Sequence, residues 1–219
     1  MPKIKFLTTA SDINRCSQLI RSLKRFDYDY HIQLHPWAGF GSKLLATRDA
    51  LPKLLSEGYT HFIYGDSYDS FILGPMSEVY GKIQDWDSII HSTEKANYPH
   101  PHKVYPDVGI SHPWKYVNGG GFFAPIELYM KTFDEMPCPA TLNDQEYQVD
   151  MYLRGKSTLE KNCEVFQTYS FIDEGTPGGN DGDFAYVNGR LVNMVTHTMP
   201  ILIHGNGKTP MDRIYNLIP

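Results

Sequence analysis

The segment from residue 61 to residue 69 limits the possible folds of this chain more than any other. Residues 61–64 (HFIY) form an apolar run, and Asp66 and Asp69 follow it almost at once. A buried strand that delivers two carboxylates at its carboxyl end is how open α/β sheets build a site for a cation and a phosphate ligand. The alternative is a strand followed by an Asp-rich turn without a ligand.

A second apolar stretch, residues 200–203, ends in His204 and continues into a glycine-rich loop, residues 205–207. Two carboxylates and one imidazole suit a divalent ion such as Mn²⁺, with positions left open for diphosphate oxygens. We therefore expect Asp66, Asp69 and His204 to meet at the ends of neighbouring strands. On its own, His204 would more often be a histidine that closes a strand without binding metal.

The order of apolar and polar residues predicts strands and helices that alternate early in the chain. Ser11 should cap the first helix, and Pro52 should kink or split the second, with Asp49 capping the new segment. The predicted strands are residues 3–9, 28–34, 60–64, 87–91, 116–124, 164–167, 184–187, 191–194 and 200–203, and the predicted helices begin near residues 11, 42, 75, 125 and 143. This pattern favours an α/β fold with a mixed central sheet flanked by helices, in a single domain over residues 1–219.

Composition narrows the class of protein further. The hydrophobic fraction of 41% is typical of an ordinary globular domain. The net charge of −5 means that the chain lacks the positive charge that broad nucleic-acid binding requires. The amino terminus shows no secretory leader, and no stretch is apolar enough to span a membrane. The three cysteines have no disulfide-framework spacing. We therefore expect a cytoplasmic protein without membrane contact.

Eight blocks spread along the chain carry a family resemblance. They are residues 5–10 (KFLTTA), 37–43 (WAGFGSK), 66–69 (DSYD), 92–94 (STE), 117–122 (VNGGGF), 143–145 (NDQ), 166–167 (FQ) and 204–207 (HGNG). Together they resemble the glycosyltransferase domain of procollagen lysyl hydroxylases and their stand-alone relatives. The resemblance implies a GT-A type, Rossmann-like fold and a transferase that moves a hexose from a UDP-sugar.

For the metal, the resemblance implies that Asp66, Asp69 and His204 bind Mn²⁺, which bridges the protein and the donor's diphosphate. Asp66 and Asp69 then form a DXXD motif, although Asp66 could instead act through a ribose hydroxyl or a water molecule. Tyr68 corresponds to the family's aromatic residue beside the nucleotide, and simple packing is its alternative role. Because the animal enzymes work in the secretory pathway, a cytoplasmic bacterial or viral protein could use a different acceptor.

The resemblance also implies a nucleotide-binding loop at residues 37–43. The Trp37 side chain would stack on uracil, and Lys43 would reach the diphosphate from the start of its helix. Burial of Trp37 in a core groove is the alternative. The residues predicted to bind the UDP-sugar are Thr8, Trp37, Lys43, Asp66, Tyr68, Asn206, Gly207 and Lys208.

Two residues, Asn118 and Asp144, are predicted to act in catalysis. Asn118 opens an Asn-Gly-Gly-Gly run, which suits a strand poorly unless a ligand approaches closely; a β-bulge without a ligand is the alternative. Asp144 corresponds to the end of an acidic run in the family, and could act as a base on the acceptor hydroxyl or stabilise an oxocarbenium ion. A carboxylate at a helix start also has a structural explanation. Glu94 is a lesser candidate for contact with the sugar.

The loop between residues 91 and 115 combines prolines with basic and aromatic residues. It suits a lid over the donor or acceptor, and a solvated loop outside the sheet is the alternative. The acceptor hydroxyl stays open: a protein group such as hydroxylysine, a glycan, or a hydroxymethylated base in phage DNA. A non-catalytic nucleotide-sugar-binding protein is the main alternative function, and a metal-dependent phosphohydrolase is a more distant one.

Overall fold

A computed structural model describes residues 2–107, 109–170, 181–207 and 209–216. The strands are β1 (Ile4–Ala10), β2 (Tyr30–Leu34), β3 (His61–Gly65), β4 (Ser70–Ile72), β5 (Ile90–Glu94), β6 (Tyr116–Pro125), β7 (Thr158–Leu159), β8 (Phe166–Tyr169), β9 (Phe184–Val187), β10 (Arg190–Asn193) and β11 (Leu202–Gly205). The helices are α1 (Ser17–Arg25), α2 (Gly41–Ser56), α3 (Met76–Lys82), α4 (Ile126–Glu135), α5 (Asp144–Leu153) and α6 (Asp212–Tyr215). Short 3-10 turns precede α1 (Ile13–Cys16) and β9 (Asp181–Asp183).

A six-stranded mixed sheet forms the centre of the protein, with strand order β2-β1-β3-β6-β5-β7. Strand β1 runs parallel to β2 and β3, whereas β6 runs antiparallel to both β3 and β5. Helices α1 and α2 form the crossovers that parallel neighbours require. The predicted α/β fold, with a mixed central sheet flanked by helices, is confirmed.

Helices cover both faces of the central sheet, because side chains along each strand point alternately to its two faces. In β3, Phe62 and Tyr64 pack with α2, α4 and α5, whereas Ile63 packs with α1 and α3. The inner strands of this sheet, such as β1 and β3, are therefore buried on both sides, whereas the edge strand β2 is only partly buried. Within the part of the chain that the structure describes, no helix has the length and apolar character needed to cross a bilayer.

A smaller sheet, with strand order β4-β11-β8, lies beside the central sheet. Strand β11 runs antiparallel to β4, with His204 opposite Ser70, and parallel to β8. The chain passes from β3 in the central sheet to β4 in the smaller sheet through residues 66–69. The expectation that the strands carrying Asp66 and His204 are neighbours is therefore wrong, because this short turn changes sheets.

The start of the first helix differs from the prediction. The cap is Asp12 and not Ser11, because the Asp12 carboxylate accepts a hydrogen bond from Asn14 N at 3.0 Å. A 3-10 turn precedes the α-helical part as a result.

Helix α2 runs unbroken through Pro52, so the predicted split is wrong, and Asp49 pairs with Arg48 instead of capping a new segment. Pro52 faces solvent, whereas Leu51 and Leu54 are fully buried. The packing of these leucines offsets the backbone hydrogen bond that proline cannot donate. The sequence pattern also does not predict β4 and β7, since strands of three and two residues are too short to show a period.

His91 is fully buried in β5, and neither ring nitrogen has a hydrogen-bond partner among the described residues. Its ring centroid lies 5.8 Å from that of Phe122. Burial lowers the pKa of His91 to about 3, whereas a histidine in an unfolded chain has a pKa of about 6.5. The unfolded state therefore binds a proton first as the pH falls, and the folded state loses stability between about pH 6.5 and pH 3.

We expect a His91→Leu variant to resist acid better than the wild type. In that pH window the buried histidine lowers the free energy of unfolding by up to about 1.4 kcal/mol for each pH unit. Urea unfolding at about pH 7.5, 5.5 and 4.5 measures this, and the difference should grow in favour of the variant as the pH falls. His102→Leu, at an exposed position, is the control. A pH-independent difference for His91→Leu would contradict the prediction.

Candidate active site

Asp66, Asp69 and His204 come together where the two sheets meet, and we call them the triad. His204 Nε2 lies 3.6 Å from Asp66 Oδ2 and 3.6 Å from Asp69 Oδ1. One ligand atom from each residue lies within 4.8 Å of the other two. Atoms that bind one divalent ion at about 2.1 Å lie up to about 4.2 Å apart. The triad therefore fits a single divalent ion with small adjustments.

The Asn118 side chain holds the His204 ring in the tautomer that a metal ligand needs. His204 Nδ1 lies 2.9 Å from Asn118 Oδ1, and the same oxygen accepts hydrogen bonds from Gly120 N at 3.0 Å and Ser92 Oγ at 3.1 Å. Because these donors fix Oδ1 as an acceptor, Nδ1 carries a proton, and Nε2 is the ring nitrogen that faces the two carboxylates and could bind a metal ion. Asn118, predicted to act in catalysis, is 2% exposed and directly supports the histidine.

The glycines after Asn118 allow strand β6 to approach the His204 ring. A Cβ atom at Gly120 would lie 2.0 Å from His204 Cε1, and one at Gly119 would lie 3.2 Å from Gln145 Cα. The pairing of β6 with β5 changes register at this run, so the β-bulge considered as an alternative is present. The close approach that requires glycine here comes from the protein itself, from the His204 ring at Gly120 and the Gln145 backbone at Gly119.

Lys43, in the first turn of α2, lies between Asp66 and Asp144. Its Nζ donates to Asp66 Oδ1 at 2.8 Å and to Oδ2 at 2.9 Å, and it pairs with Asp144 Oδ2 at 2.6 Å. Burial would lower the pKa of Lys43, but the two carboxylates raise it well above its ordinary value. The lysine therefore remains a buried cation that joins two acidic residues from distant parts of the chain.

The two aspartates of the triad have different electrostatic surroundings. Burial would raise the pKa of Asp66, but Lys43 and His204 outweigh it and hold that pKa below its ordinary value. Burial also raises the pKa of Asp69, and there His204 offsets it only in part while the Asp66 charge adds to it. Asp69 therefore gives up its proton less readily than Asp66, as expected for the second of two adjacent carboxylates.

Two cavities border the triad, and both are lined by Phe40, Lys43, Asp66 and Asp69. The first cavity has a volume of about 360 Å³ and lies over the carboxyl end of β1. Its remaining lining residues are Thr9, Ala10, Ser11, Arg15, His35, Trp37, Ser67 and Tyr68.

Trp37 and Tyr68, which both line the first cavity, differ in how firmly their rings are held. Trp37 is 54% exposed and packs edge-to-face on Phe40 at 5.3 Å, so it is not buried in a core groove. The Tyr68 hydroxyl accepts hydrogen bonds from the backbone nitrogens of Ser11 and Asp12, both at 2.9 Å. These bonds fix the tyrosine ring, whereas the tryptophan ring is held only at the surface.

The second cavity has a volume of about 410 Å³ and lies between β6, β11 and the start of α5. Asp144 lines it as the first residue of α5, but Asn143 is the residue that caps this helix, by accepting hydrogen bonds from Gln145 N and Glu146 N. The side chain that caps α5 is therefore Asn143, and Asp144 is a carboxylate in the first turn of the helix. The other lining residues are Glu94, Ala96, Tyr98, Asn118, Gly119, Gly120, Gln145, His204, Asn206 and Gly207.

Not every residue predicted to bind the nucleotide presents its side chain to a cavity. Thr8 is fully buried, its hydroxyl donates to Gly65 O at 2.7 Å, and it lines neither cavity, whereas Thr9 lines the first. Asn206 and Gly207 line the second cavity. The prediction for Lys208 lies outside the described residues.

Glu94 holds a more central position than its sequence context indicates. Its carboxylate accepts hydrogen bonds from the side-chain amides of Gln145, Asn118 at 3.5 Å and Asn206 at 2.6 Å. Burial raises the pKa of Glu94 to about 7, although the three amides act in the opposite direction. The sequence shows Glu94 only as an acidic residue at the end of a buried strand. It does not show the three amide partners, because they come from three distant segments of the chain.

Several cavity residues are absent from the predicted set, among them Arg15, His35, Phe40 and Gln145. Phe40 and Gln145 lie inside two of the matching sequence blocks, so the resemblance could have indicated them. No sequence pattern indicates Arg15, whose guanidinium carbon lies 4.0 Å from the centre of the Tyr68 ring. It reaches the cavity because the turn capped by Asp12 directs it there.

The described residues of the basic and aromatic loop lie outside the sheets from residue 95 to residue 115, whereas residues 91–94 of the predicted loop belong to β5. Its contacts with α5 include His100 Nε2, which lies 2.7 Å from Glu146 Oε1, and Lys103 Nζ, which lies 2.6 Å from Asp150 Oδ1. Gln145 Nε2 also donates to Tyr98 O at 3.2 Å. Through Tyr98 the loop also lines the second cavity. It therefore forms one wall of that cavity.

Over residues 1–219 the chain matches the family model described as the PLOD GT domain. The chain therefore belongs to this family and is a glycosyltransferase domain of GT-A type. Procollagen-lysine,2-oxoglutarate 5-dioxygenase 1 of Homo sapiens is 26% identical over 201 residues, which cover 87% of this chain and 27% of the relative. The multifunctional procollagen lysine hydroxylase and glycosyltransferase LH3 of Rattus norvegicus is 24% identical over 193 residues, which cover 83% and 25%. The chain thus spans about a quarter of the length of these curated relatives.

Two solved structures that share this fold are described as glycosyltransferases. A glycosyltransferase involved in the glycosylation of the major capsid of PBCV-1 has a TM-score of 0.57 at 12% identity, and the match covers 99% of this chain and 98% of that one. The apo structure of the bifunctional glycosyltransferase WbbM has a TM-score of 0.50 at 12% identity, covering 99% and 48%. At these identities the likeness shows the fold alone, which is the predicted GT-A fold.

We expect a Gly120→Ala variant to bind Mn²⁺ at least about tenfold more weakly, because the new methyl group displaces the His204 ring from its partner. Titration calorimetry with MnCl₂ measures the affinity, and circular dichroism shows whether the variant is folded. Gly81→Ala is the matched control, since a Cβ atom there meets open space on α3. An unchanged Mn²⁺ affinity in folded Gly120→Ala would show that the ring position does not matter.

Proposed function

We propose that this domain transfers a hexose from a UDP-sugar to an acceptor hydroxyl, with Mn²⁺ held by Asp66, Asp69 and His204. The observation that carries the proposal is that Asp66 and Asp69 lie on the wall shared by the two cavities, with His204 lining the second. A donor bound across the triad would have its nucleotide in the first cavity and its hexose in the second, where an acceptor can enter. Membership of the PLOD GT domain family supports the same class of reaction.

The chemistry of the triad supports a divalent ion. Two carboxylate oxygens and one imidazole nitrogen suit Mn²⁺, and such an ion stabilises the charge that develops on a diphosphate leaving group. Asn118 keeps the proton on His204 Nδ1, so the nitrogen facing the carboxylates is free to bind metal. In this proposal Asn118 acts as a positioning residue.

The first cavity suits a uridine. Tyr68 offers a ring that its hydroxyl contacts hold in place, and Trp37 offers an exposed ring at the rim. Either ring can stack on a base without disturbing the core, and aromatic–base stacking contributes on the order of 1–3 kcal/mol. Both rings line the cavity that Asp66 and Asp69 also line, so the diphosphate of a uridine bound there would lie close to the triad.

In the second cavity, an acceptor hydroxyl would meet Asp144. The Asp144 side chain is 12% exposed and ion-paired with Lys43, which fixes a negative charge near the sugar. That carboxylate can take the proton from the attacking hydroxyl or stabilise positive charge on the anomeric carbon. Gln145, beside it on α5, contacts Glu94 and lines the same cavity.

The acceptor is a hydroxyl on a protein, a glycan or a modified nucleic-acid base. The curated relatives are named for procollagen, which makes hydroxylysine in a collagen-like peptide the first acceptor to test. The net charge of −5 disfavours a nucleic-acid acceptor.

Replacing Asp69 with Ala should remove the Mn²⁺-dependent part of UDP binding, because one of the three ligands is lost. Titration calorimetry of UDP with and without MnCl₂ measures this for the wild type, for Asp69→Ala and for Asp134→Ala, an exposed control on α4. We expect Mn²⁺ to tighten UDP binding at least about tenfold in the wild type and the control only. A full Mn²⁺ effect in Asp69→Ala would refute the metal assignment. UDP release from UDP-glucose or UDP-galactose then tests turnover, and its absence would favour a non-catalytic binding protein.

At saturating MnCl₂, an Asp144→Asn variant should retain most of its UDP-sugar affinity and lose well over tenfold in transfer rate. A positioned base contributes roughly 10²–10⁴-fold, whereas contacts to the nucleotide and metal come from other residues. Transfer rate per folded molecule and melting temperature are measured on the same protein. Unchanged turnover with a lower melting temperature would mean that Asp144 is structural.

A further inference from the structure

The Lys43 ammonium group is paired with two carboxylates. An ammonium group has three N–H donors. Around Lys43 Nζ, Asp66 Oδ1, Asp66 Oδ2 and Asp144 Oδ2 lie at 2.8, 2.9 and 2.6 Å. Because the two Asp66 oxygens belong to one carboxylate, one N–H points between them, and a second N–H points to Asp144. The charge of the ammonium group is therefore compensated by two carboxylates of the protein itself.

One of these contacts uses an atom that a metal ion would also need. Asp66 Oδ2 accepts from Lys43 Nζ, and it is also the Asp66 oxygen that faces His204 Nε2 at 3.6 Å. The side chains of Lys43 and Asp66 are 16% and 18% exposed, so water screens the pair only in part. A divalent ion in the triad would share this oxygen with the ammonium group and would be repelled by its charge.

We infer that Lys43 is an internal counter-ion that competes with the divalent ion for Asp66 and links the triad to Asp144. It is a positioning residue, and it is not a free cation waiting for the donor's diphosphate. The inference rests on the proposed function, because it takes Asp66 as a metal ligand and Asp144 as the acceptor-side carboxylate. It replaces the expectation that Lys43 reaches the diphosphate directly.

This arrangement couples the two cavities. When an ion binds Asp66, the ammonium group keeps its second partner, Asp144, and so holds that carboxylate at the wall between the cavities. Without Lys43, three carboxylates would face each other across the shared wall: Asp66, Asp69 and Asp144. The ion would then be the sole strong positive charge among them.

The test is the affinity for MnCl₂ alone, without nucleotide, measured by titration calorimetry. Lys43→Met should bind Mn²⁺ at least tenfold more tightly than the wild type, because the competing charge is gone. Lys43→Arg keeps the charge and should stay near the wild-type affinity. Lys53→Met, at an exposed position on the same helix, should not change it.

The opposite reading gives a different pattern. If Lys43 is a free phosphate ligand, Lys43→Met leaves the affinity for Mn²⁺ alone unchanged and weakens UDP binding about tenfold in metal-free buffer; that result would overturn the inference. If Lys43→Met does not fold, Asp144→Asn supplies the second measurement. In Asp144→Asn, the Lys43 ammonium group has Asp66 as its only remaining carboxylate partner of the two. It should therefore compete more strongly with the ion, so Mn²⁺ affinity should fall several-fold. An unchanged affinity would overturn the inference. Absence of Mn²⁺ binding in the wild type and in Lys43→Met, with and without UDP, would instead overturn the proposed function.

Discussion

The hydrogen bond between His204 and Asn118 joins the smaller sheet to the central sheet, and the site depends on it. Both side chains are buried, at 6% and 2% exposure, so loss of Asn118 would leave the buried Nδ1–H of His204 without an acceptor, which costs about 1–3 kcal/mol. The same bond sets the histidine tautomer and requires the bare backbone of Gly120 beneath the ring. This single contact therefore joins the two sheets, requires glycine at position 120 and orients a proposed metal ligand.

The turn that carries the two aspartates is tied at both ends to the strands that hold this bond. Asp66 N donates to Gly120 O at 3.0 Å on β6, and Gly205 N donates to Asp69 O at 2.8 Å on β11. The turn thus spans from one sheet to the other, and its carboxylates cannot move far from His204 while both sheets are intact. A site whose ligands are held in this way is organised before any ligand binds, which is what stabilisation of a developing charge requires.

Much of this arrangement can be read from the sequence, and the remainder follows from contacts that a linear pattern does not contain. The apolar runs that end in Asp66 and in His204 predict the two strands, the end of each strand at which the site lies and the types of ligand. They do not show that β3 and β11 belong to different sheets, because a strand pattern carries no information about its neighbour. Local chemistry misled the prediction where tertiary packing dominates, as at Pro52. The role of Lys43 was beyond sequence reasoning as well, since its partners lie 23 and 101 positions further along the chain.

The charges around the triad explain why a divalent ion suits this site better than a side-chain cation. Asp66, Asp69 and Asp144 are three carboxylates near one another, and Lys43 contacts two of them. Asp69 has no such contact with Lys43, and its raised pKa reflects burial beside the Asp66 charge. Asn118 fixes the Nδ1–H of His204, so Nε2 faces the two carboxylates as a ligand atom for such an ion. A divalent ion at the triad supplies two positive charges where the carboxylates are least compensated, and it leaves open positions toward both cavities for a diphosphate. The same excess of negative charge that disfavours a free anion in the metal-free site therefore makes donor binding depend on the metal.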